Sequence, residues 1–495
     1  MIRKAAFGWL LIVVPMWSWA QETKTLTLAE ALKTAVERNL DIQLERLNVD
    51  TRNLSFDLTR AKYEPLVTSV LTDFNGEQEP SNQNQGGLGL SFSISQTSLN
   101  TTFEKKEDFG FTFRAKFDNS QSTSNFANAF GETFSSDLSI EVEQELLRGF
   151  GFDSDNTRRD EYLAKYDVTI SRHDLALRMG DVLQQTETAY WDLVLANEQL
   201  KVAQQSLALA KQLYEQNKTK IEVGTLAPIE LVNTEATVAS RERDIVESEN
   251  NVRAADDTLK KMMNLAPELW LNTLKPAEEL SVQPVPYDLA RDLETALSHR
   301  PEIQKNAIER EKALLNLKYQ RNQLLPGLKL FGSYQSSGND LAPPTSYSNA
   351  FDEALNNEFP SYTLQLQFNW TPFNKAARLN MAQANVDLRR NELAFSQTEL
   401  NIREEVRSAI RELDSNLKSV RANEKTVRFR EENLKAEEQK FQNGLSTNYR
   451  VAEVQEELSR ARSDLIQSKT AYLKALVAYR KALGTLVQDH NIYIQ

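Results

Sequence analysis

The side chains that most often do covalent or metal chemistry are scarce in this sequence. Cysteine is absent, which removes disulfides, thiolate metal sites, Cys nucleophiles and a lipid-bearing N-terminal Cys together. The three histidines, His173, His299 and His490, stand too far apart to read as a ligand cluster. No Gly-x-Ser-x-Gly or His-Glu-x-x-His stretch occurs, and no Gly-Lys-Ser/Thr phosphate loop. Neither a hydrolase elbow, a zinc-protease helix nor an NTPase is encoded. Acidic residues are plentiful, 70 against 58 basic, but they fall on long amphipathic runs and read as a solvated face. A formal charge of −12 leaves no basic excess to release counterions from a phosphate backbone, so no nucleic-acid partner is expected. No catalytic residue, cofactor or metal ligand is predicted, and the chain is not expected to be an enzyme.

What remains distinctive is a matched pair of turns. Val223-Gly224-Thr225-Leu226 and Asn443-Gly444-Leu445-Ser446 each place a glycine after a long helical run and before a new one. The runs that position them are unusually long. From Arg159 to Ile221 there is one Gly and no Pro, and from Leu379 to Asn443 there is neither. Sixty-three residues extend ~95 Å if helical throughout. Apolar or small residues recur at alternating four and three steps in Val182, Thr186, Ala189, Leu193, Ala196, Leu200, Ala203, Leu207, Ala210 and Tyr214. Val451, Val454, Leu458, Ala461, Leu465, Ser468, Tyr472, Ala475, Tyr479 and Ala482 keep the same rhythm. Both are heptad seams.

The two turns are equivalent because the chain repeats itself. Residues 28–65 match 289–326 without a gap, in pairs such as Leu28/Leu289, Ala35/Ala296, Gln43/Gln304 and Pro65/Pro326. A second match sets 159–265 against 379–485, pairing Ala189/Ala409, Leu193/Leu413 and Gly224/Gly444. The two offsets differ by 41 residues, so the first copy carries a 41-residue insertion. Each copy reads helix, strands, long helical hairpin. After Pro65 and Pro326, where a helix cannot continue, the period changes to two. Leu328, Leu330 and Tyr334 alternate with polar residues, as do Tyr362, Leu364, Leu366, Phe368 and Trp370, and Leu138, Ile140 and Val142. The insertion adds Leu88, Leu90, Phe92 and Ile94, then Phe109, Phe111, Phe113, Ala115 and Phe117. These runs could form a further hairpin of a barrel or stand outside it.

At the N-terminus, Arg3 and Lys4, an apolar run from Ala5 to Trp17, and Ser18-Trp19-Ala20 compose a signal peptide cleaved after Ala20. Loss of its two cations takes the mature chain from −12 to about −14. No later stretch approaches 18 apolar residues, so any membrane crossing must use strands.

The sequence resembles the TolC family of outer-membrane efflux channels. The resemblance covers nearly the whole mature chain: the duplicated units, Tyr190-Trp191-Asp192-Leu193, Leu146-Leu147-Arg148-Gly149-Phe150-Gly151 after the last strand of copy one, and the tip turns. It implies a mainly α chain with a membrane β-barrel, in which a homotrimer closes the barrel and continues it as an α-helical periplasmic tube. The expected organisation is a signal peptide (1–20) and a first repeat (21–264) with opening helix 28–64, β region 66–144 and hairpin 157–264. A Pro-containing connector or equatorial belt (265–288) follows. The second repeat (289–485) has helix 289–325, β region 327–370 and hairpin 376–484, before a tail (486–495). Two strands per copy give four per chain, too few for a closed barrel; three chains give twelve, or eighteen if the insertion joins the wall.

The resemblance further implies localisation in the outer membrane with a long periplasmic portion. The function it implies is a passive exit duct of a tripartite efflux pump or type I secretion system. Partners would be outer-membrane lipid, a periplasmic adaptor that opens the duct and an inner-membrane transporter that drives it. The tips, Val223, Gly224, Thr225, Leu226, Asn443, Gly444, Leu445 and Ser446, would dock the adaptor. By spacing from the tip glycines, the periplasmic aperture would be lined by Glu230, Arg450 and Glu453, with Arg450 at a position where the family carries an acid. Arg450 and Glu453, at i and i+3, can interact directly, and a pairing of Arg450 with Glu230 across the tip would also help hold it closed. The alternative is a structural periplasm-spanning coiled coil or adhesin-type outer-membrane protein.

Overall fold

The computed structural model describes residues 23–78, 92–124, 131–150, 154–341 and 345–490. The signal peptide, the strand positions Leu88 and Leu90, Gly151 and the end of the tail lie outside the described residues. In chain order the elements are β1 (Thr23–Leu26), α1 (Leu28–Arg38), α2 (Leu40–Ala61), β2 (Leu66–Gln78), β3 (Phe92–Lys106), β4 (Phe111–Ser124) and β5 (Glu132–Glu145). The short α3 (Ser154–Thr157) precedes the long helices α4 (Arg159–Glu222) and α5 (Ile229–Met262). After β6 (Thr273–Pro276) come α6 (Leu289–His299), α7 (Pro301–Asn322), β7 (Gly327–Asp340), α8 (Tyr347–Leu355) and β8 (Phe359–Asn369). The chain closes with α9 (Lys375–Gln442), α10 (Asn448–Leu483) and α11 (Leu486–Asp489). No described helix is long and apolar enough to cross a membrane.

The opening helix expected in each copy is two helices. In the first, Thr27 and Glu30 form a reciprocal capping box that starts α1. Asn39 then turns extended; its side chain accepts from the Asp41 amide (2.9 Å) and donates to the Met262 carbonyl (2.9 Å). In the second copy the break falls at Arg300, the position equivalent to Asn39. Pro301 disfavours helical geometry at the preceding residue and has no N–H to donate, so α6 ends and α7 begins there.

Two compact units form, and neither follows a sequence copy. The first draws on Met1–Leu44, Ala176–Arg300 and Asn401–Gln495, the second on Glu45–Leu175 and Pro301–Leu400. Each takes residues from both repeats, because the long helices α4 and α9 contribute to both units.

In the first unit, Leu32, Ile42, Leu183, Tyr190, Leu193, Leu259, Leu413 and Tyr472 are fully or almost fully buried. The α10 seam is buried throughout except for half-buried Leu465. On α4 the expected seam is buried as far as Ala196; past it Leu200, Ala203, Leu207 and Tyr214 are half-buried and of the named positions only Ala210 is buried. Val202, Ser206 and Leu213, beside the seam, are buried as well, and so is Asn217, one step past Tyr214. The 265–288 connector is held by buried tyrosines. Tyr190 bonds Glu278 and the Leu26 carbonyl, and Tyr472 donates to Gln283 (2.8 Å) and accepts from the Val285 amide (3.3 Å). Tyr479 donates to Asp292 at 2.7 Å; burial, together with that carboxylate, pushes its phenol up. β1 pairs in parallel with β6 beside them.

The second unit holds one antiparallel sheet in the order β2-β3-β4-β5-β7-β8. Both strands of the inserted region, β3 and β4, therefore lie inside this sheet, between β2 and β5. Registers such as Ala115↔Ile140, Ile140↔Tyr334 and Tyr334↔Tyr362 put Phe103, Phe113, Phe117, Leu138, Val142, Leu330, Leu364 and Phe368 on one face. The other face carries Glu104, Arg114, Lys116, Glu141, Glu143 and Lys329. Among the described residues both edges are unpaired, and every residue of β8 is exposed, Tyr362 at 85%. An unexpected helix, α8, covers part of the apolar-parity face. It approaches β7 so closely at Gly338 that a Cβ there would lie 1.9 Å from the Ala350 carbonyl oxygen. Ser336 donates to the Ala354 carbonyl (2.7 Å), Tyr347 donates to Asn119 (2.9 Å), and Phe351 meets Phe117 edge-on.

Candidate docking tips and aperture

The two tips repeat one backbone pattern. At the first, Gly224 takes φ +76°, its amide bonds the Ile221 carbonyl (2.9 Å), and the Thr225 amide reaches back to Lys220 (2.9 Å). At the second, Gly444 takes φ +73°, with Gly444 to Phe441 (3.2 Å) and Leu445 to Lys440 (2.8 Å). A left-handed residue followed by a bond five residues back is the Schellman way of closing a helix, and it selects glycine. A Cβ on either glycine would meet nothing within 4 Å, so the backbone sign, not space, excludes other residues. The following helices start differently: Thr447 caps α10 by accepting from the Arg450 amide, whereas Pro228 gives α5 no side-chain cap. Val223, Ile229, Leu445 and Tyr449 are left exposed, Leu445 at 78%.

The expected aperture residues divide into two contacts. Arg450 pairs with Glu453 on its own helix at 2.6 Å, and that carboxylate raises the guanidinium's pKa further. Glu230 instead accepts from Asn448 Nδ2 at 3.3 Å. The expected Arg450–Glu230 clasp is therefore not formed, because Glu453 lies one helical turn from Arg450 on the same face. Beside them Ser446 donates to Glu437, and Lys440 pairs with that carboxylate at 3.1 Å. These two hydrogen bonds hold the Glu437 carboxyl below its ordinary range.

Three features here were not anticipated. Lys220 donates to the Phe441 carbonyl (3.0 Å) and lies over the Phe441 ring, 3.6 Å from its centre. Leu213, Phe441 and Val451 form an apolar cluster under the tips. Asn217 is fully buried with neither side-chain polar atom partnered, and Asn448 Oδ1 is likewise unpartnered. The signal for Asn217 was present: it continues the four-three rhythm one step past Tyr214.

The other stretches behind the resemblance are structural. Tyr190, Trp191 and Leu193 are buried, and Asp192 pairs with Lys474. Gly149 takes φ +77° and donates its amide to Asn322 at 2.9 Å. Among the described residues no group of three His, Cys, Asp or Glu is placed to hold a metal.

The sequence model described as "Outer membrane efflux protein" matches residues 115–265 and 293–485. The chain belongs to this family. Among solved structures, the Campylobacter jejuni CmeC outer membrane channel aligns over 100% of this chain and 98% of its own, with TM-score 0.67 and 15% identity. The outer-membrane channel OprN aligns over 92% and 89%, with TM-score 0.65 and 14% identity. VceC of Vibrio cholerae aligns over 92% and 96%, with TM-score 0.65 and 12% identity. No curated protein sequence matches the chain. At these identities the likeness establishes the fold, a TolC-like chain of the outer-membrane channel type.

Proposed function

We propose that this protein is the outer-membrane exit duct of a tripartite efflux pump or type I secretion system. The duct is a passive homotrimer, opened at its periplasmic end by an adaptor and powered by an inner-membrane transporter. The observation that carries this reading is the open sheet. Six strands alternating in direction leave β2 and β8 running opposite ways, so β8 of one copy continues antiparallel onto β2 of the next. Three copies close a barrel of eighteen strands, an even number as bacterial barrels require. The part of its apolar face that α8 leaves open then meets lipid, and its charged face lines the lumen.

Exposed seams support the same assembly. Leu40, Leu44, Leu47, Leu54 and Leu58 form one on α2, and Leu379, Val386, Leu393 and Leu400 recur every seven residues on α9. Their natural cover is a neighbouring copy's helix. The tips, with Leu445 and Val223 exposed around the two glycines, are the surface for the adaptor. Glu230, Arg450 and Glu453 belong to the aperture between them, and 265–288 forms a belt around the tube. Signal cleavage after Ala20 precedes insertion in the outer membrane. A periplasm-spanning structural rod would need no open, two-faced sheet.

Native mass spectrometry of detergent-extracted protein, paired with conductance in planar bilayers, tests the reading. A trimer starting at Gln21 that conducts ions is expected. A monomer, or a trimer that never conducts, refutes it.

A further inference from the structure

On the polar face of the sheet, near the ends of the strands that adjoin the helices, charged residues form a continuous ladder across four strands. Arg114 on β4 lies directly opposite Glu104 on β3 and bonds it at 2.6 Å. The same guanidinium reaches Glu143 on β5 at 3.3 Å. Glu143 is shared with Lys329 on β7 at 2.6 Å, and Lys329 lies 3.5 Å from Glu145. Lys116 pairs with Glu141 at 2.5 Å and Lys106 with Glu104 at 3.1 Å. All eight residues share one face by register, while Phe103, Phe113, Ala115, Ile140 and Val142 occupy the opposite face at the same height. Four carboxylates meet four cations, so the ladder carries no net charge. Its side chains stay partly open to the space in front of the sheet.

We propose that this ladder is a charge-cancelling collar on the inner wall of the duct, and that Arg114 is the residue that keeps it neutral. The inference rests on the exit-duct reading, in which the polar face lines the lumen. Cargo of either sign then passes this level without meeting a net fixed charge. Arg114 is central because it is the only cation bonded to carboxylates on both flanking strands among the described residues. Neutralising it leaves Glu104 without its direct cross-strand partner and gives each copy one uncompensated negative charge, three around the barrel. Because the lumen of a wide barrel is wet, the effect is governed by screening. The Debye length is about 30 Å at 0.01 M salt and about 3 Å at 1 M, so the collar acts across the lumen only when salt is dilute.

The test is single-channel recording on the full trimer at pH 8, with the trivalent cation hexamminecobalt added on the barrel side. Arrangements of surface charge produce potentials of several kT. A change of only about 0.5 kT multiplies the local concentration of a trivalent cation roughly four-fold. At ~0.01 M salt, Arg114→Gln is therefore expected to lower the half-blocking concentration about four-fold, and Glu104→Gln to raise it, with both differences vanishing at ~1 M. Arg114→Lys keeps the charge while losing the forked geometry, and is expected to block like the wild type. Unchanged block of a conducting Arg114→Gln channel at low salt overturns the proposal. So does Arg114→Lys behaving like Arg114→Gln, which marks Arg114 as a strand-pairing residue only. If Arg114→Gln does not assemble, Glu104→Gln and Arg114→Lys decide in the same way. A wild-type trimer that never conducts overturns the duct reading beneath it, a separate result.

Discussion

Replacing Asn217 by Leu is expected to tighten the packing under the hairpin tips. The amide is completely buried on α4, between Leu213 and Lys220 in the helical stripe, and neither its oxygen nor its nitrogen has a partner. Each buried polar group left without a hydrogen bond costs about 1–3 kcal/mol, whereas a leucine of similar length adds apolar contact to the Leu213–Phe441–Val451 cluster. A net gain of about 1–3 kcal/mol follows if the substitution fits without strain. Since 1.4 kcal/mol is a factor of ten, hydrogen exchange of the amides around 213–222 should slow between roughly five-fold and a hundred-fold, where opening is local. The assay is exchange by mass spectrometry on wild-type and Asn217→Leu protein, with Asn217→Ala as the control that leaves a cavity. Equal or faster exchange in the leucine variant would refute the reasoning, because it would mean the amide is satisfied in solution.

Other consequences are equally direct. Gly444→Ala puts a side chain at φ +73°, which costs about 1–2 kcal/mol in backbone strain without any clash, so faster amide exchange at 440–446 is expected; Gly444→Asn should lose less. Asp256→Asn removes the carboxylate that holds buried Lys260 at 2.7 Å, and leaving that cation unpaired should destabilise the fold by about 3–5 kcal/mol, read as a lower denaturation midpoint. His173 on α4 is pushed below its ordinary pKa by burial, so its contribution to stability is present above pH ~6.5 and is lost as pH falls through the depressed value. His173→Gln should flatten that part of a melting-temperature profile, and an unaltered profile would place the acid sensitivity elsewhere.

Much of the architecture was legible because long-range identity and local period agreed. The duplication announced itself through Pro65/Pro326 and Gly224/Gly444, and the α10 seam is buried as its rhythm predicts. The break in the opening helix was half legible: Pro301 marks it in the second copy, whereas Asn39 in the first is a cap residue inside an otherwise continuous helical pattern. Its side chain caps the start of α2 by accepting from the Asp41 amide and also bonds Met262, far away in sequence. β3 was readable only near its start, since beyond Ile94 its residues are mostly Ser, Thr and Asn on both faces. Past Ala196 burial on α4 spreads to positions beside the seam, because a straight helix of 3.6 residues per turn rotates away from a seven-residue repeat. At the second tip, spacing offered Arg450 two partners, Glu453 one turn away and Glu230 across the tip, and only packing chooses the first.

The sheet's parity also limits how such a duct can change width in evolution. Gain or loss of one strand per chain would make the two edges run the same way, and β8 could then meet the next copy's β2 only in parallel. Workable variants therefore come in steps of a whole hairpin, and β3 and β4 have the form of one such step. Barrel diameter grows about linearly with strand number, so in the proposed trimer a pair added to each copy takes twelve strands to eighteen and widens the bore roughly one and a half times. On the exit-duct reading, insertion of one hairpin thus widens the barrel end of the duct while leaving the helices and the tips untouched.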